Sequence, residues 1–192
     1  IAAISALNAS KRVQGSMDAV YTNNGNTVAG GIANYKLVIR NTGSVTMKNI
    51  TLVDVLPYIG DKYLVSQTSK GSQWAPFLVG PVSAPAGVTV YYSTESDISG
   101  TDVGVAGGPN APNWSTSLPN PVTSVKAIKF EYALNYPTDS LAAGDSLVLV
   151  WPMRVPAGVN IGELAYNSFA YKAISAYDGS TLNAEPLKVG IT

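Results

Sequence analysis

The chain has 192 residues, of which 12% are charged, and its twelve basic residues balance twelve acidic ones. Soluble domains carry about 25% charged residues, and phosphate binding needs an excess of Lys and Arg, so we expect no nucleic-acid partner. Cysteine and histidine are both absent, which removes the Ser-His-Asp and Cys-His nucleophile systems, zinc sites and histidine general bases. An enzyme is therefore the class of protein that we expect least.

The chain opens with an apolar segment, IAAISALNASKRVQG (1–15). It is too short, and lacks the basic flank, for a membrane span or signal peptide. The apolar residues Ile1, Ala3, Ile4 and Leu7 would be poorly solvated in a free tail, so we expect them to form an assembly strand. Such a strand pairs with a sheet edge, either of its own domain or of the next copy. We therefore divide the chain into an N-terminal extension or donor-type strand (1–15) and one domain (16–192).

Alternating apolar residues predict strands along the rest of the chain. Helical windows are scarce because 12 prolines and 18 glycines are spread over the whole sequence. The pattern predicts an all-β fold, a two-sheet Ig-like β-sandwich with Greek-key connections. One long Gly/Pro-rich loop, Ser93 to Pro121, interrupts it. About ten strands are predicted, at 2–7, 17–21, 33–40, 49–55, 62–67, 88–93, 125–134, 146–154, 164–174 and 187–191.

Two polar residues interrupt the apolar faces of these strands. Asp54 shares its alternation face with Leu52 and Leu56, and Asn167 shares one with Phe169, so both side chains are predicted to point inward. Buried polar groups need partners. The simpler interpretation is that each bonds nearby backbone or turn groups, or that the two bond each other.

The alternative interpretation is an autocatalytic Lys–Asn isopeptide crosslink. A buried, neutral lysine would attack the Asn167 carboxamide while a neighbouring carboxyl group transfers protons. The sequence does not supply an obvious lysine. Lys36 alternates out of phase with the apolar face of its strand and is predicted to face solvent, and Lys11 lies near the N-terminal segment that has no assigned partner. We therefore favour the simpler interpretation at this stage.

The long loop also carries acidic residues that suggest a cation. Glu95, Asp97 and Asp102, together with backbone carbonyls, offer the oxygen ligands that calcium takes in flexible geometry. The spacing matches no EF-hand loop, so a solvated acidic loop is the favoured interpretation. Calcium is the one cofactor that the sequence suggests.

Aromatic and asparagine residues suggest contacts with glycans. Loop and strand aromatics, of which Trp114 is the exposed candidate, are typical of the stacking platform of a carbohydrate-binding module. Asn-x-Ser/Thr triplets at Asn8, Asn49 and Asn113 are acceptor sites for glycosylation.

A series of sequence words carries a family resemblance. They are NYKLVIRNTGSVTMKNITLVDVLP, APAGVTVYYST, WSTSLPNPVTSVKAIKFEY, LAAGDSLVLVWPMRVPAG, AYNSFAYKA and EPLKVGIT, which cover most of the chain from about Tyr35 to the end. The first word, with a strand ending in an Asn-x-Gly turn and a strand ending in Asp-x-Leu-Pro, resembles the conserved-repeat domains of bacterial and archaeal cell-surface proteins. The resemblance implies an Ig-like β-sandwich with a structural or adhesive role, and no active site.

These observations together predict an extracellular, cell-surface protein. The function that we expect is the structural subunit of a surface filament, or the stalk module of an adhesin, assembled by addition of the N-terminal strand to a neighbouring copy. Its partners would be other copies of itself or other surface domains. The alternative is a carbohydrate-binding module that uses the loop aromatics.

Overall fold

The computed structural model describes residues 2–98, 103 and 113–192. Within them it shows no helix that is long and apolar enough to cross a membrane. The described residues form one turn of 3-10 helix at Val122–Ser124 and twelve strands: β1 (Leu7–Gln14), β2 (Asn24–Gly25), β3 (Ile32–Asn41), β4 (Met47–Val55), β5 (Phe77–Leu78), β6 (Thr89–Ser93), β7 (Ala127–Tyr132), β8 (Ser146–Arg154), β9 (Ala165–Asn167), β10 (Ala170–Ser175), β11 (Thr181–Ala184) and β12 (Val189–Ile191).

The strands form two large sheets and a small third one. The first sheet has the order β1-β3-β8-β5, and the second has the order β11-β10-β4-β7-β6. Strand neighbours within these two sheets are antiparallel. The third sheet, β2-β12-β9, contains the one parallel pair among the described strands, β2 with β12.

The main core lies between the inner faces of the two large sheets. Tyr35, Leu37 and Ile39 alternate inward along β3, and Trp151 points inward from β8 opposite Tyr35. The ring of Trp151 stacks on Tyr35, with centroids 6.1 Å apart, and contacts Phe130 of β7 at 5.9 Å. Large aromatic side chains of this kind contribute most of the apolar area that a sandwich core buries.

Strand β4 is buried on both faces. Its outer face carries Val53 and Val55, which pack with Leu64, Ile98 and Val103 from the loops. Two positions of the long loop, Ile98 and Val103, therefore cover the outer face of the second sheet.

The predicted all-β sandwich is confirmed, with the small third sheet added. The N-terminal strand, however, is displaced: it runs over Leu7–Gln14 rather than 2–7 and pairs with β3 of the same chain. Of the predicted assembly residues, Ile1 lies outside the described part, Ala3 and Ile4 are exposed, and Leu7 is half-buried. The predicted strand was placed too early because Lys11, which points inward, interrupts the apolar alternation of β1. The apolar residues that precede Lys11 therefore gave the clearer strand pattern.

Two other predicted strands, at 17–21 and 62–67, are also wrong. The first is a turn with a backbone hydrogen bond from Asp18 N–H to the carbonyl of Gly15 at 3.1 Å. The second belongs to the loop between β4 and β5. Both runs are short, and short apolar runs carry little periodicity to distinguish a strand from a buried loop.

The turn after β1 requires a residue without a side chain, and this generates a first prediction. A Cβ added to Gly15 would lie 1.9 Å from the carbonyl oxygen of Asn26, whereas one added to Gly158 would meet no atom within 4 Å. We expect Gly15→Ala to lower the free energy of unfolding by about 2 kcal/mol or more, because backbone must move. Gly158→Ala, the matched control, should stay within about 0.5 kcal/mol. Denaturant melts measure both, and equal effects would contradict the prediction.

Candidate functional site

A buried lysine and a buried aspartate join the two large sheets. Lys11 of β1 donates from Nζ to Oδ2 of Asp54 on β4, and neither side chain is exposed to solvent. The Nζ atom also lies 5.3 Å from the ring centroid of Tyr35 and 4.8 Å from that of Trp151. The ammonium group is thus enclosed by two aromatic rings and one carboxylate.

The alternation of β1 explains how Lys11 reaches the core. Leu7, Ala9, Lys11 and Val13 lie on the inner face, and Lys11 is opposite Leu37 in the register with β3. The sequence alone could have indicated a buried lysine, because Lys11 occupies an apolar position between Ala9 and Val13. The predicted first strand ended at residue 7, so Lys11 was not recognised as part of a strand. Lys36, the other strand lysine considered, is opposite Arg12 and places its Nζ over the ring of Tyr21 at 5.2 Å.

Asn167 is fully buried, and both polar atoms of its carboxamide lack a hydrogen-bond partner. Asn41, another fully buried asparagine, is by contrast satisfied: its Nδ2 donates to the carbonyls of Val45 and Leu141, and its Oδ1 accepts from Gly43 N–H. Unpaired buried amides are rare and costly. The state of Asn167 therefore needs a specific explanation.

The strand register brings Asn167 to the end of β4 that carries Asp54. Ala170, three residues after Asn167, is opposite Val53 in the antiparallel pairing of β10 with β4. On its other side Asn167 pairs with Val189 of β12, a strand that contacts β1. Asn167 consequently lies between the strands that supply Asp54 and Lys11. The second oxygen of Asp54, Oδ1, is also buried without a partner.

The environment favours the neutral amine of Lys11. The pKa of Lys11 is lowered from its ordinary 10.5 to about 8, mainly by burial and to a smaller extent by the charge of Lys70, against the opposing attraction of Asp54. Burial and the charge of Asp54 raise the pKa of the Tyr35 phenol far above its ordinary value, so that group stays neutral. A lysine with a pKa near 8 has an appreciable neutral fraction at physiological pH, and the neutral amine is the nucleophilic form.

A second buried ion pair, in the loop between β4 and β5, lies near the first. Lys70 Nζ is 3.3 Å from Asp61 Oδ2 and donates to the carbonyl of Val55 at 3.2 Å. Asp61 also accepts from Ser72 Oγ at 2.7 Å and from the backbone N–H groups of Ser72 and Tyr58 at 3.2 and 3.4 Å. Unlike the Lys11 pair, this one is well satisfied. No periodic pattern marks these loop residues, which explains why the sequence did not reveal them.

The predicted calcium ligands are only partly visible. Glu95 and Asp97 are exposed, and Asp102 lies outside the described residues. Among the residues that the structure does describe, no three His, Cys, Asp or Glu side chains form a group able to hold a metal ion. Calcium binding stays a prediction.

The glycan-related residues divide into two groups. The acceptor asparagines Asn8, Asn49 and Asn113 are all exposed, so glycosylation stays a prediction. Trp114, expected to be exposed, is instead half-buried against the second sheet, with its Nε1 atom buried and its ring 5.4 Å from Lys129 Nζ. Trp74 and Trp151 belong to the core. The tryptophan side chains therefore present no flat exposed platform for a sugar.

The comparisons with known proteins concern shape. No protein-family model and no curated protein sequence matches the chain. Among solved structures, BcpA, the major pilin subunit of Bacillus cereus, matches at 9% identity with a TM-score of 0.46, over 97% of this chain and 40% of that one. A cohesin module from a Clostridium perfringens family 33 glycoside hydrolase matches at 11% and 0.49, over 98% of each chain. The collagen-binding subdomain ACE19 of the Enterococcus faecalis surface protein ACE matches at 8% and 0.42, over 96% and 95%.

Identities and scores at this level do not transfer a function. The chain spans 40% of the length of the Bacillus cereus pilin. The matched structures include a pilin subunit and a collagen-binding subdomain of a surface protein, and no family model shows membership of the conserved-repeat family. The function has to be inferred from the side chains of this chain.

The second ion pair generates a prediction about stability. We expect Asp61→Ala to lower the free energy of unfolding by about 3–5 kcal/mol, because it leaves the buried Lys70 without a carboxylate. Adding Lys70→Met should recover a large part of that loss, because the uncompensated charge is then removed. Denaturant melts of the single and double variants measure this, and a double variant less stable than the single one would contradict it.

Proposed function

We propose that the chain is a load-bearing structural module of an extracellular protein, a subunit of a surface filament or a stalk module of an adhesin, held by an isopeptide bond between Lys11 and Asn167. The observation that carries the proposal is the enclosed Lys11–Asp54 pair beside a carboxamide with no hydrogen-bond partner. Nucleophile, proton carrier and electrophile all lie in the interior, where water cannot compete. The even balance of charges also suits close packing of copies.

The proposed reaction needs no external reagent. Asp54 takes a proton from the Lys11 ammonium, and the neutral Nζ then attacks Cγ of Asn167 to form a new C–N bond. The bond from Cγ to Nδ2 breaks, and Nδ2 leaves as ammonia, with Asp54 transferring the proton from the attacking to the departing nitrogen. The net change converts one amine and one primary amide into one secondary amide and ammonia. Holding the groups together in the folded core supplies the proximity that the reaction requires.

Lys11, rather than Lys70, is the nucleophile in this proposal. Burial lowers the pKa of Lys70 as well, but its ammonium group has two partners, a backbone carbonyl and a carboxylate that three other donors hold in place. Lys11 has one carboxylate oxygen and two aromatic faces. The less satisfied cation is the one that deprotonates more readily.

The bond would tie the first strand to the small third sheet and, through the connection from β9 to β10, to the second large sheet. β1 is an edge strand, held in its own sheet only by β3, and edge strands are the first to be lost under load. A link from Lys11 to Asn167 attaches this strand to the β9–β10 segment of the other side. By the loop-closure model a link that closes more than 100 residues stabilises by about 5 kcal/mol.

Addition of β1 to a neighbouring copy belongs to the same proposal as its assembly step. β1 pairs with β3 of its own chain over eight residues. If a neighbour's β1 takes the same place in a filament, Lys11 arrives with it, and the bond then joins two subunits. The two arrangements differ in one readout: a link within the chain leaves monomers after denaturation, whereas a link between chains leaves a ladder of oligomers.

The proposed bond is tested by mass. We expect the intact folded protein to be lighter than its sequence by one ammonia, and fragmentation to yield a branched peptide joining Lys11 to Asn167. Lys11→Met, Asp54→Asn and Asn167→Ala should each restore the full mass, because each removes one of the three reacting groups. Denaturing electrophoresis of the same samples distinguishes a link within a chain from one between chains.

Two matched controls accompany the mass test. Lys36→Met replaces the lysine on the outer face of β3, and Lys70→Met replaces a second buried lysine, the one nearest to the site, so both should keep the mass deficit at the end point. A wild-type mass equal to the sequence value contradicts the crosslink. A mass deficit that persists in Lys11→Met but disappears in Lys70→Met would show that Lys70, and not Lys11, is the nucleophile.

The lowered pKa of Lys11 generates a prediction for Asn167→Ala, in which the amine stays free. The folded state releases the Lys11 proton near pH 8, whereas the unfolded chain keeps it up to about 10.5. The unfolded state therefore holds more protons between these values, so stability should rise with pH across the window, by an amount on the order of 3 kcal/mol. Melts of Asn167→Ala at a series of pH values measure the rise.

The control for this experiment is Asn167→Ala with Lys11→Met, in which the titrating amine is absent. The extra rise between pH 8 and 10.5 should then disappear. Equal pH profiles for the two variants would show that Lys11 titrates at its ordinary pKa, and would remove the basis for a neutral nucleophile.

A further inference from the structure

We propose that Lys70, Asp61 and Ser72 form a positioning cluster for the crosslink, fixing the backbone beside both Asp54 and Asn167 and placing a second cation near Lys11. This inference rests on the proposed function, and it assigns a role to a buried polar group that the crosslinking reaction itself does not use. None of the three residues touches the reacting atoms. They act through the groups that do.

One side of the cluster reaches the strand of Asp54. Lys70 Nζ donates to the carbonyl of Val55, the residue that follows Asp54 at the end of β4. β4 ends there, and one further backbone hydrogen bond, from Leu56 N–H to the carbonyl of Lys126 at 2.9 Å, continues its pairing with the β7 side. The bond from Lys70 restrains the strand end at the point where the orientation of Asp54 is decided.

The other side of the cluster reaches the strand of Asn167. Ser72 Oγ donates to Asp61 at 2.7 Å and accepts from the N–H of Tyr166 at 2.9 Å; the same oxygen lies 3.2 Å from the Tyr166 carbonyl. Tyr166 is the residue before Asn167. The carboxamide has no hydrogen bond of its own to fix it, so its position depends on its backbone, which the pairing with β12 and the bond from Ser72 to Tyr166 both restrain.

Additional contacts hold the cluster from outside. Lys188 donates from Nζ to the carbonyl of Lys70 and lies 3.7 Å from the ring centroid of Tyr166. The loop between β4 and β5 is thereby attached to the same strand, β9, from two directions. A single loop thus connects the end of the strand that carries Asp54 with the strand that carries Asn167.

The cluster also acts through its charge. The titratable and charged groups that face Lys11 are Asp54, Tyr35 and Lys70, and those that face Lys70 are Asp61, Asp54 and Glu185. The two lysines therefore share the attraction of Asp54. A positive charge on Lys70 disfavours a second one on Lys11, and so increases the fraction of Lys11 present as the neutral amine.

The two effects, charge and position, are separated by two substitutions in the full chain. Lys70→Met removes the cation, Ser72→Ala removes the link to Tyr166, and Lys36→Met is the control. Each chain is made in a short cell-free translation pulse, and the loss of one ammonia is then followed over time by mass at pH values on both sides of about 8.

We expect Lys70→Met to slow the reaction and to move the pH of half-maximal rate upward. At pH values below this midpoint, the Lys70→Met chain should react roughly tenfold more slowly than the wild type for each pH unit by which its midpoint is shifted upward. Ser72→Ala should slow the reaction by a similar factor at every pH and leave the pH of half-maximal rate unchanged. Lys70→Arg should restore the wild-type pH of half-maximal rate, because it restores the charge.

The inference is overturned if Lys70→Met reacts at the wild-type rate with the wild-type pH dependence, or if Lys70→Arg behaves as Lys70→Met does. It is tested separately from the crosslink by pH-dependent melts of Asn167→Ala with and without Lys70→Met. In that background no bond forms, and loss of the Lys70 charge should still raise the pH at which stability begins to increase. A wild-type chain of full mass contradicts the crosslink alone, whereas an unchanged pH in these melts contradicts the role of Lys70.

Discussion

One ion pair enclosed between two sheets is the constraint on which the rest of this structure depends. Lys11 and Asp54 come from sheets that share no strand, and the space between those sheets is otherwise filled by apolar side chains. Taking both charges out of water costs several kcal/mol for each ion, and their mutual attraction repays this only with good geometry. The aromatic rings of Tyr35 and Trp151, the parity of β1 and the double burial of β4 all serve to fix that geometry.

The proposed bond resolves three costs of the buried site at once. A secondary amide carries no charge, so the buried ammonium disappears with the reaction. Two unpaired atoms of the Asn167 carboxamide are replaced by one amide whose neighbours include Asp54. The departure of ammonia makes the proposed step irreversible in practice.

The sequence predicted the parts of the molecule that depend on alternation. The strands that contain Leu37 and Leu149 follow a simple period of two, so their inward faces could be read directly. β4 is buried on both faces, but Asp54 could still be assigned to the face that Leu52 and Leu56 share. The inward orientation of Lys11 could not be predicted in this way, because the face of the sheet to which it points can be assigned only when the limits of β1 are known. The cluster of Asp61, Lys70 and Ser72 lies in an irregular loop, where contacts depend on tertiary packing that no local pattern encodes.

The register of β9 with β12 has a consequence for how far the molecule can stretch. A bond from Lys11 to Asn167 encloses residues 12–166 in a covalent ring, so a pull between the two ends of the module travels through the ring closure and never enters the ring. At about 3.4 Å per residue, an unlinked chain of this length could lengthen to about 650 Å, whereas the linked one reaches only about 125 Å. What remains extensible is the short N-terminal segment and the stretch after Asn167, whose β12 strand is paired with β9 itself. The module would thus behave as an almost inextensible element, one that transmits tension without storing slack.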